Sequence, residues 1–391
     1  MKGQVGTSIA SDPFVAGQEA AGRVIAGMRD IKVAFVYSGV QYDQKALLAG
    51  ITEVLPGVPL VGNTSFTGVI TTGGFTGSDT GFVGILGLSG DDLAVGVAGL
   101  PREGDARATG QKVAYAALAA AGKATEGRIE APDAFYMVAP PGEEEFYLKG
   151  IQDVIGRAPF FGGSAADNAI AGEWLLLCGL DAFADGVAVA FLYTDAPITN
   201  VFTGAYEETA NVGVITKVRD LRVLEEIDGV PALDRYAEWT GQKASDLLGF
   251  NLLVATITAP LGVKDRLGDL IAIRHPMNGN DDHSMNIGAN LAVGTAVIQM
   301  QGSVDQLIAS AGETVTALLA KHGGMPAALH LVHCGGRRAG IGDRVDELAA
   351  AISTAAGDIP FIVEFTFGEY GWEDDGNNTT GGLMLSYTAL G

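Results

Sequence analysis

Cys334 stands at the end of an apolar run, in Cys334-Gly335-Gly336-Arg337. A guanidinium beside a thiol lowers the thiol pKa, so this spacing predicts an accessible, partly ionised Cys334 that alkylates faster than Cys178. His333 is adjacent in sequence, but neighbours in a strand point to opposite faces, which argues against a Cys–His dyad. Two small polar turns, Gly62-Asn63-Thr64-Ser65 and Gly162-Gly163-Ser164-Ala165-Ala166-Asp167, follow apolar runs. Strand ends are where α/β proteins bind ligands, and backbone N–H groups in such turns can hold a carboxylate or phosphate. Gly62, Asn63, Gly163, Ser164 and Asp167 are therefore candidate ligand residues; the plainer reading is that they only make tight turns. The Ser164 run misses the Gly-x-Ser-x-Gly nucleophile elbow, because Ala166 replaces the last glycine. Glu369 after Gly368, and Asn378 beyond the acidic run Glu373 to Gly376, offer a carboxylate and an amide to a ligand's ammonium and polar groups. The run 373–376 itself reads as a solvated hairpin tip. His275 and His283 flank Asp281 and Asp282, a candidate metal pair or haem axial ligand, but their spacing matches no common zinc pattern. No Walker or dinucleotide glycine motif is present.

The elements that must hold these residues repeat. Val33 to Tyr37, Ala134 to Val138 and Ala327 to His333 read as strands. Each is followed by a helix, expected over residues 43–55, 143–155 and 343–356. Each helix leaves through a glycine and then a Pro-apolar-apolar run, Gly57 before Pro59, Gly156 before Pro159 and Gly357 before Pro360. Glycine ends a helix in the left-handed conformation, and proline cannot continue it. A fainter fourth strand is expected at Leu252 to Thr256. A further helix is expected over residues 13–29, with Asp12 capping it and Phe14, Ala21, Val24, Ile25 and Met28 inward. The polar run Glu207 to Asn211 interrupts the apolar pattern. It places a boundary between two compact halves, residues 1–205 and 222–391, with few strands crossing.

The chain has 391 residues, 48% of them hydrophobic, with 56 glycines and a net charge of −22. That is dense packing with many tight turns, not disorder. The acidic balance disfavours nucleic acid and anionic membranes as partners. Two cysteines make no disulfide framework. No stretch approaches the roughly 20 apolar residues of a membrane span, and the start lacks a signal-peptide core, so a cytoplasmic address is expected.

Four stretches in order resemble the FIST family of sensory proteins. Pro59-Leu60-Val61-Gly62-Asn63-Thr64 and Pro159-Phe160-Phe161-Gly162-Gly163-Ser164-Ala165-Ala166-Asp167 are similar to motifs of the FIST N-terminal domain. Glu226-Ile227-Asp228-Gly229-Val230-Pro231-Ala232-Leu233 resembles the opening of the FIST C-terminal domain. Cys334-Gly335-Gly336-Arg337, Phe367-Gly368-Glu369 and Asn378-Thr379 resemble its closing signatures. The resemblance implies an intracellular signal-transduction sensor of a small ligand, with an amino acid proposed. Some members are described as haem proteins responding to nitric oxide.

Together these readings give a mixed α/β fold in two halves, each a mainly β layer covered by helices. The function expected is a stand-alone sensor binding a small metabolite such as an amino acid between its halves, without cofactor. With no length left for an output domain, it signals through a separate protein such as a kinase or cyclase. A zwitterion would place its carboxylate on Arg337 and its ammonium on Glu369 or Asp167. The alternatives are a haem-based gas sensor and an enzyme using Cys334 or Ser164, although no complete catalytic motif is found.

Overall fold

A computed structural model describes residues 1–125, 128–264, 270–372 and 378–391. The α/β class holds, and the repeat is its organising feature. Strand Ile31–Ser38, helix Gln44–Val54 and strand Leu60–Thr64 form the first unit. Ala134–Ala139, Glu144–Ile155 and Phe160–Ser164 form the second; Ala328–Cys334, Val345–Ala356 and Phe361–Thr366 form the third. In each, the two strands pair in parallel through the crossover helix. Parallel strands need such a crossover. The exits share a cause: Gly57, Gly156 and Gly357 have φ of 76°, 73° and 59°. That left-handed turn is nearly free only for glycine.

On the other flank of each first strand lies an antiparallel strand, Val83–Ser89, Gly186–Tyr193 and Leu385–Leu390 in turn. Two helices cover the outer face of each sheet. Helix Pro13–Gly27 accompanies the first unit, Ala106–Ala120 the second and Val304–His322 the third. Their starts follow the sequence. Asp12, Asp105 and Ser303 each accept a backbone N–H three residues on. In the first of these helices Ala16, Ala20, Ala21 and Val24 are buried, whereas Ile25 is 44% exposed instead of inward.

The inner faces of the three sheets meet in one apolar core containing Phe35, Tyr136, Val138, Phe161 and Ile362. Each sheet is also extended on one side by a strand from another unit. Leu176–Cys178 adds to the first sheet, Glu369–Trp372 to the second and Val69–Thr71 to the third. Two sheets thus combine strands from both halves, which corrects the expectation of few crossing strands.

Residues 207–301 build a separate sheet. The polar run at Glu207 lies within its long strand, Glu207–Arg219, and is not a break. Asp228 and Gly229, with φ of 53° and 73°, form the turn back from Val223–Ile227 to Val230–Pro231. Positive φ at both central residues suits an Asp-Gly hairpin. Leu252 to Thr256 belongs to a short helix, Asn251–Thr256, not a strand; a short apolar run cannot separate the two by periodicity.

Candidate ligand site

Cys334 ends its strand and caps a seven-residue helix, Gly335–Ile341, where a Gly-rich loop was expected. Its sulfur accepts hydrogen bonds from the N–H groups of Gly336, at 3.3 Å, and Leu383, at 3.1 Å. The thiol is only 3% exposed. Burial, with the Glu369 carboxyl beside it, pushes its pKa far up. The expected exposed, partly ionised thiol is therefore not what the fold builds. Cys178 is also held up, to about 12, by burial. His333 faces away from the thiol. Its Nδ1 meets the Cys334 carbonyl at 3.2 Å, and its ring packs on Phe365.

Arg337 is fully buried and donates to carbonyls, not to a carboxylate. Its Nη1 reaches Gly204 O at 2.7 Å, and Nη2 reaches Leu307 O at 3.1 Å and Ser310 Oγ at 2.6 Å. It ties the short helix to helix Val304–His322 and to the chain at Gly204. Glu369 is buried as well. It accepts from Thr366 Oγ1 at 2.9 Å and Met384 N at 2.8 Å, and burial pushes its carboxyl up to about 8.

The turn residues are likewise occupied. Ser164 Oγ bonds the Tyr370 hydroxyl at 2.7 Å. No helix follows it, so the elbow is absent. Asp167 accepts the N–H groups of Ala169, Ala171 and Glu173, and so shapes its own loop. Gly62 and Gly163 pack against Val36 and Thr366, where a Cβ would sit within 1.9 Å and 2.6 Å of those residues' atoms. Asn378 Nδ2 donates to Ala158 O at 2.9 Å. The acidic tip Glu373 to Gly376 lies outside the described residues. The fold thus brings Ser164, Glu369 and Cys334 near one seam but leaves Arg337, Asp167 and Asn378 in separate structural roles.

Asn63 belongs to a buried network at the meeting point of the three sheets. Tyr136 donates to its Oδ1 at 2.7 Å, and its Nδ2 donates to Glu364 Oε2 at 2.9 Å. His330 Nε2 stands 3.5 Å from Glu364 Oε1 and hydrogen-bonds the Tyr37 hydroxyl. Burial pushes Glu364 up to about 8 and His330 down to about 3, so the two are not an ion pair at neutral pH.

His275 and His283 do not share a site. His283 Nδ1 bonds Asp234 at 2.7 Å. His275 is 6% exposed, burial pushes it down to about 4, and its Nε2 reaches Leu253 O at 3.4 Å. Among the described residues no group of three or more His, Cys, Asp or Glu could hold a metal ion. What His275 does line is a pocket of about 60 Å³, together with Phe66, Leu253, Met277, Cys334 and Phe367. Its walls are mostly carbon. Met277, Phe66 and Leu253 carried no site signal in the sequence, because lone apolar residues read as core; Phe367 stood in the Phe367-Gly368-Glu369 signature.

The FIST N domain matches residues 32–230, and the FIST C domain matches residues 232–372. No curated protein matches. Among solved structures, the cyanuric acid hydrolase of A. caulinodans aligns over 100% of this chain and 99% of its own, at 11% identity and TM-score 0.38. Phosphoribosylformylglycinamidine synthase II from Thermotoga maritima aligns over 99% and 71%, at 11% identity and TM-score 0.22. No described helix is long and apolar enough to cross a membrane.

Proposed function

The chain belongs to the FIST family, whose domains are sensor domains of signal transduction, and from that premise we propose that it senses a small ligand in the pocket beside Cys334. The observation that carries this is the pocket's place. Phe66 comes from the segment matching the N domain, whereas Leu253, His275, Cys334 and Phe367 come from the C domain segment. A ligand there touches both, so its binding favours whichever relative arrangement closes on it. A separate protein, such as a kinase or cyclase, reads that arrangement.

The ligand is smaller and less charged than the amino acid first expected. Arg337 and Glu369 do not line the pocket, and about 60 Å³ lies well below the volume of a drug-sized site. The haem reading draws on His275, but a macrocycle does not fit this space. The nucleophile reading finds no histidine hydrogen-bonded to Ser164 Oγ or Cys334 Sγ among the described residues. Ser164 is bonded to Tyr370, and the thiol's neighbour is Glu369.

Ala339 is exposed at the pocket's mouth, on the short helix. Replacing it with tryptophan closes the mouth and leaves the core alone. A thermal-shift screen of small metabolites and ions should raise the melting temperature of the parent, because a ligand that prefers the folded state stabilises it. Ala339→Trp should lose that shift at an unchanged resting melting temperature. A parent that responds to nothing, or a variant that responds like the parent, would end this reading.

A further inference from the structure

Two sulfur donors and one imidazole line that pocket. They are the Cys334 sulfur, the His275 ring and the Met277 thioether, set among carbon walls, with the Glu369 carboxyl beside the sulfur but outside the lining. Resting on the ligand-site reading above, we propose that the ligand is a soft monovalent metal ion, Cu(I), held by Cys334 Sγ, His275 Nδ1 and Met277 Sδ. Thiolate and thioether donors select Cu(I), whereas hard cations require oxygen ligands.

Each donor is arranged for the task. Leu253 O can only accept, so the His275 nitrogen facing it, Nε2, carries the proton. That leaves the lone pair on Nδ1, the ring nitrogen turned away from Leu253 O. A ligating histidine commonly donates its other N–H to a backbone carbonyl in this way. The two backbone N–H groups on Cys334 Sγ supply the outer-shell hydrogen bonds that steady a metal-bound sulfur.

Glycines keep the space between the donors open. A Cβ on Gly336 would lie 3.4 Å from His275 Cε1 and 3.5 Å from Cys334 Sγ, so ring and sulfur stand no more than about 7 Å apart. A Cβ on Gly288 would lie 3.3 Å from Met277 Sδ. Neither glycine has the positive φ that would itself demand glycine. Rotation of the flexible Met277 side chain brings the third donor in. Binding is a ligand exchange: the Cys334 S–H bond breaks, the proton leaves to solvent, and an S–Cu bond forms with no change of oxidation state. The net charge of −22 raises the local concentration of a cation.

The test is anaerobic titration of the reduced full-length chain with Cu(I) against a chromogenic Cu(I) chelator, with Ag(I) as a parallel probe. One ion per chain is expected, with sulfur neighbours by X-ray absorption. Cys334→Ser should abolish binding. Met277→Leu, which conserves volume, should weaken it by at least about tenfold, on the scale of lost metal-site interactions. Cys178→Ser should bind like the parent. Unchanged affinity in Met277→Leu, or equal loss in Cys178→Ser, overturns the assignment. A parent that ignores Cu(I) but responds to an organic ligand blocked by Ala339→Trp overturns the metal alone. A parent that responds to neither overturns the ligand site as well.

Discussion

Glu364 has been taken out of water with no Lys or Arg paired to it among the described residues. Tyr37, Asn63, Tyr136 and His330 face it, and His330 is held neutral by its own burial. The native carboxyl, pushed up to about 8, keeps a proton that the unfolded chain releases near pH 4.5. Stability from this group is therefore full below pH 4.5 and is lost as pH rises toward 8. His330 acts with the opposite sign: the unfolded ring takes a proton near pH 6.5 that the native ring, at about 3, refuses. It weakens the fold only below pH 6.5. From pH 6.5 to 8 the carboxyl acts alone of the two. Glu364→Gln should thus flatten the pH slope of stability in that window, by up to about 1.4 kcal/mol per pH unit, read from denaturant melts. A parent and variant with the same slope would show that Glu364 is already ionised. Arg337 supports a different expectation. Its truncation to alanine takes the donor from Gly204 O, removes one partner each from Leu307 O and Ser310 Oγ, which keep their bond to each other, and opens a void. That should cost about 3–5 kcal/mol of stability, measured as a fall in the denaturation midpoint. A variant as stable as the parent would restore the idea of a ligand-facing guanidinium.

The helix pairs that cover the sheets depend on glycines at their crossings. A Cβ on Gly50 would lie 2.1 Å from Phe14 O, and one on Gly17 2.4 Å from Leu47 O. In the second pair, Gly150 and Gly110 come as close to Arg107 O and Tyr147 O, at 2.0 Å and 2.3 Å; in the third, Gly312 lies 2.8 Å from Ala351 O. Alanine favours a helix by about 1 kcal/mol over glycine, but here its methyl must push two backbones apart. Gly50→Ala and Gly150→Ala should each destabilise by about 1–3 kcal/mol. Gly22→Ala, with nothing within 4 Å of its Cβ, should stabilise slightly. Equal effects at all three positions would mean the crossings are not close-packed. These elements were legible in the sequence, since Asp12, Asp105 and Ser303 mark helix starts and Gly57, Gly156 and Gly357 mark exits. The strand Glu207–Arg219 was not, because half-exposed Glu and Thr residues give no apolar alternation. The pocket was not legible either. His275 was weighed against His283, its neighbour in sequence, whereas the fold sets it beside Cys334.

At the scale of the molecule, the borrowed strands bind the three units into a ring. Leu176–Cys178 of the second unit completes the first sheet, and Glu369–Trp372 of the third completes the second. Val69–Thr71 of the first completes the third, closing the cycle. Ile198–Thr203 also pairs with the final strand, Leu385–Leu390, which ties residues before 205 to the chain's last strand. Cutting the chain between residues 205 and 222 therefore does not release two finished domains. Residues 1–205 lose the strand beside Phe160–Ser164 and the Ile362 side of the common core. Residues 222–391 lose both Val69–Thr71 and Ile198–Thr203, exposing two sheet edges, and unpaired edges invite aggregation. They also lose Glu207–Arg219, the strand that joins Val223–Ile227 to Ala296–Gln301. Each fragment expressed alone should lack a cooperative melt and aggregate, whereas residues 1–205 co-expressed with residues 206–391, which keep Glu207–Arg219, should co-purify and regain a single transition. If residues 1–205 alone melt cooperatively near the parent's temperature, the exchanged strands are ornaments on independent domains. Ligand coupling between the N and C segments would then have to cross a much looser contact than the closed ring provides.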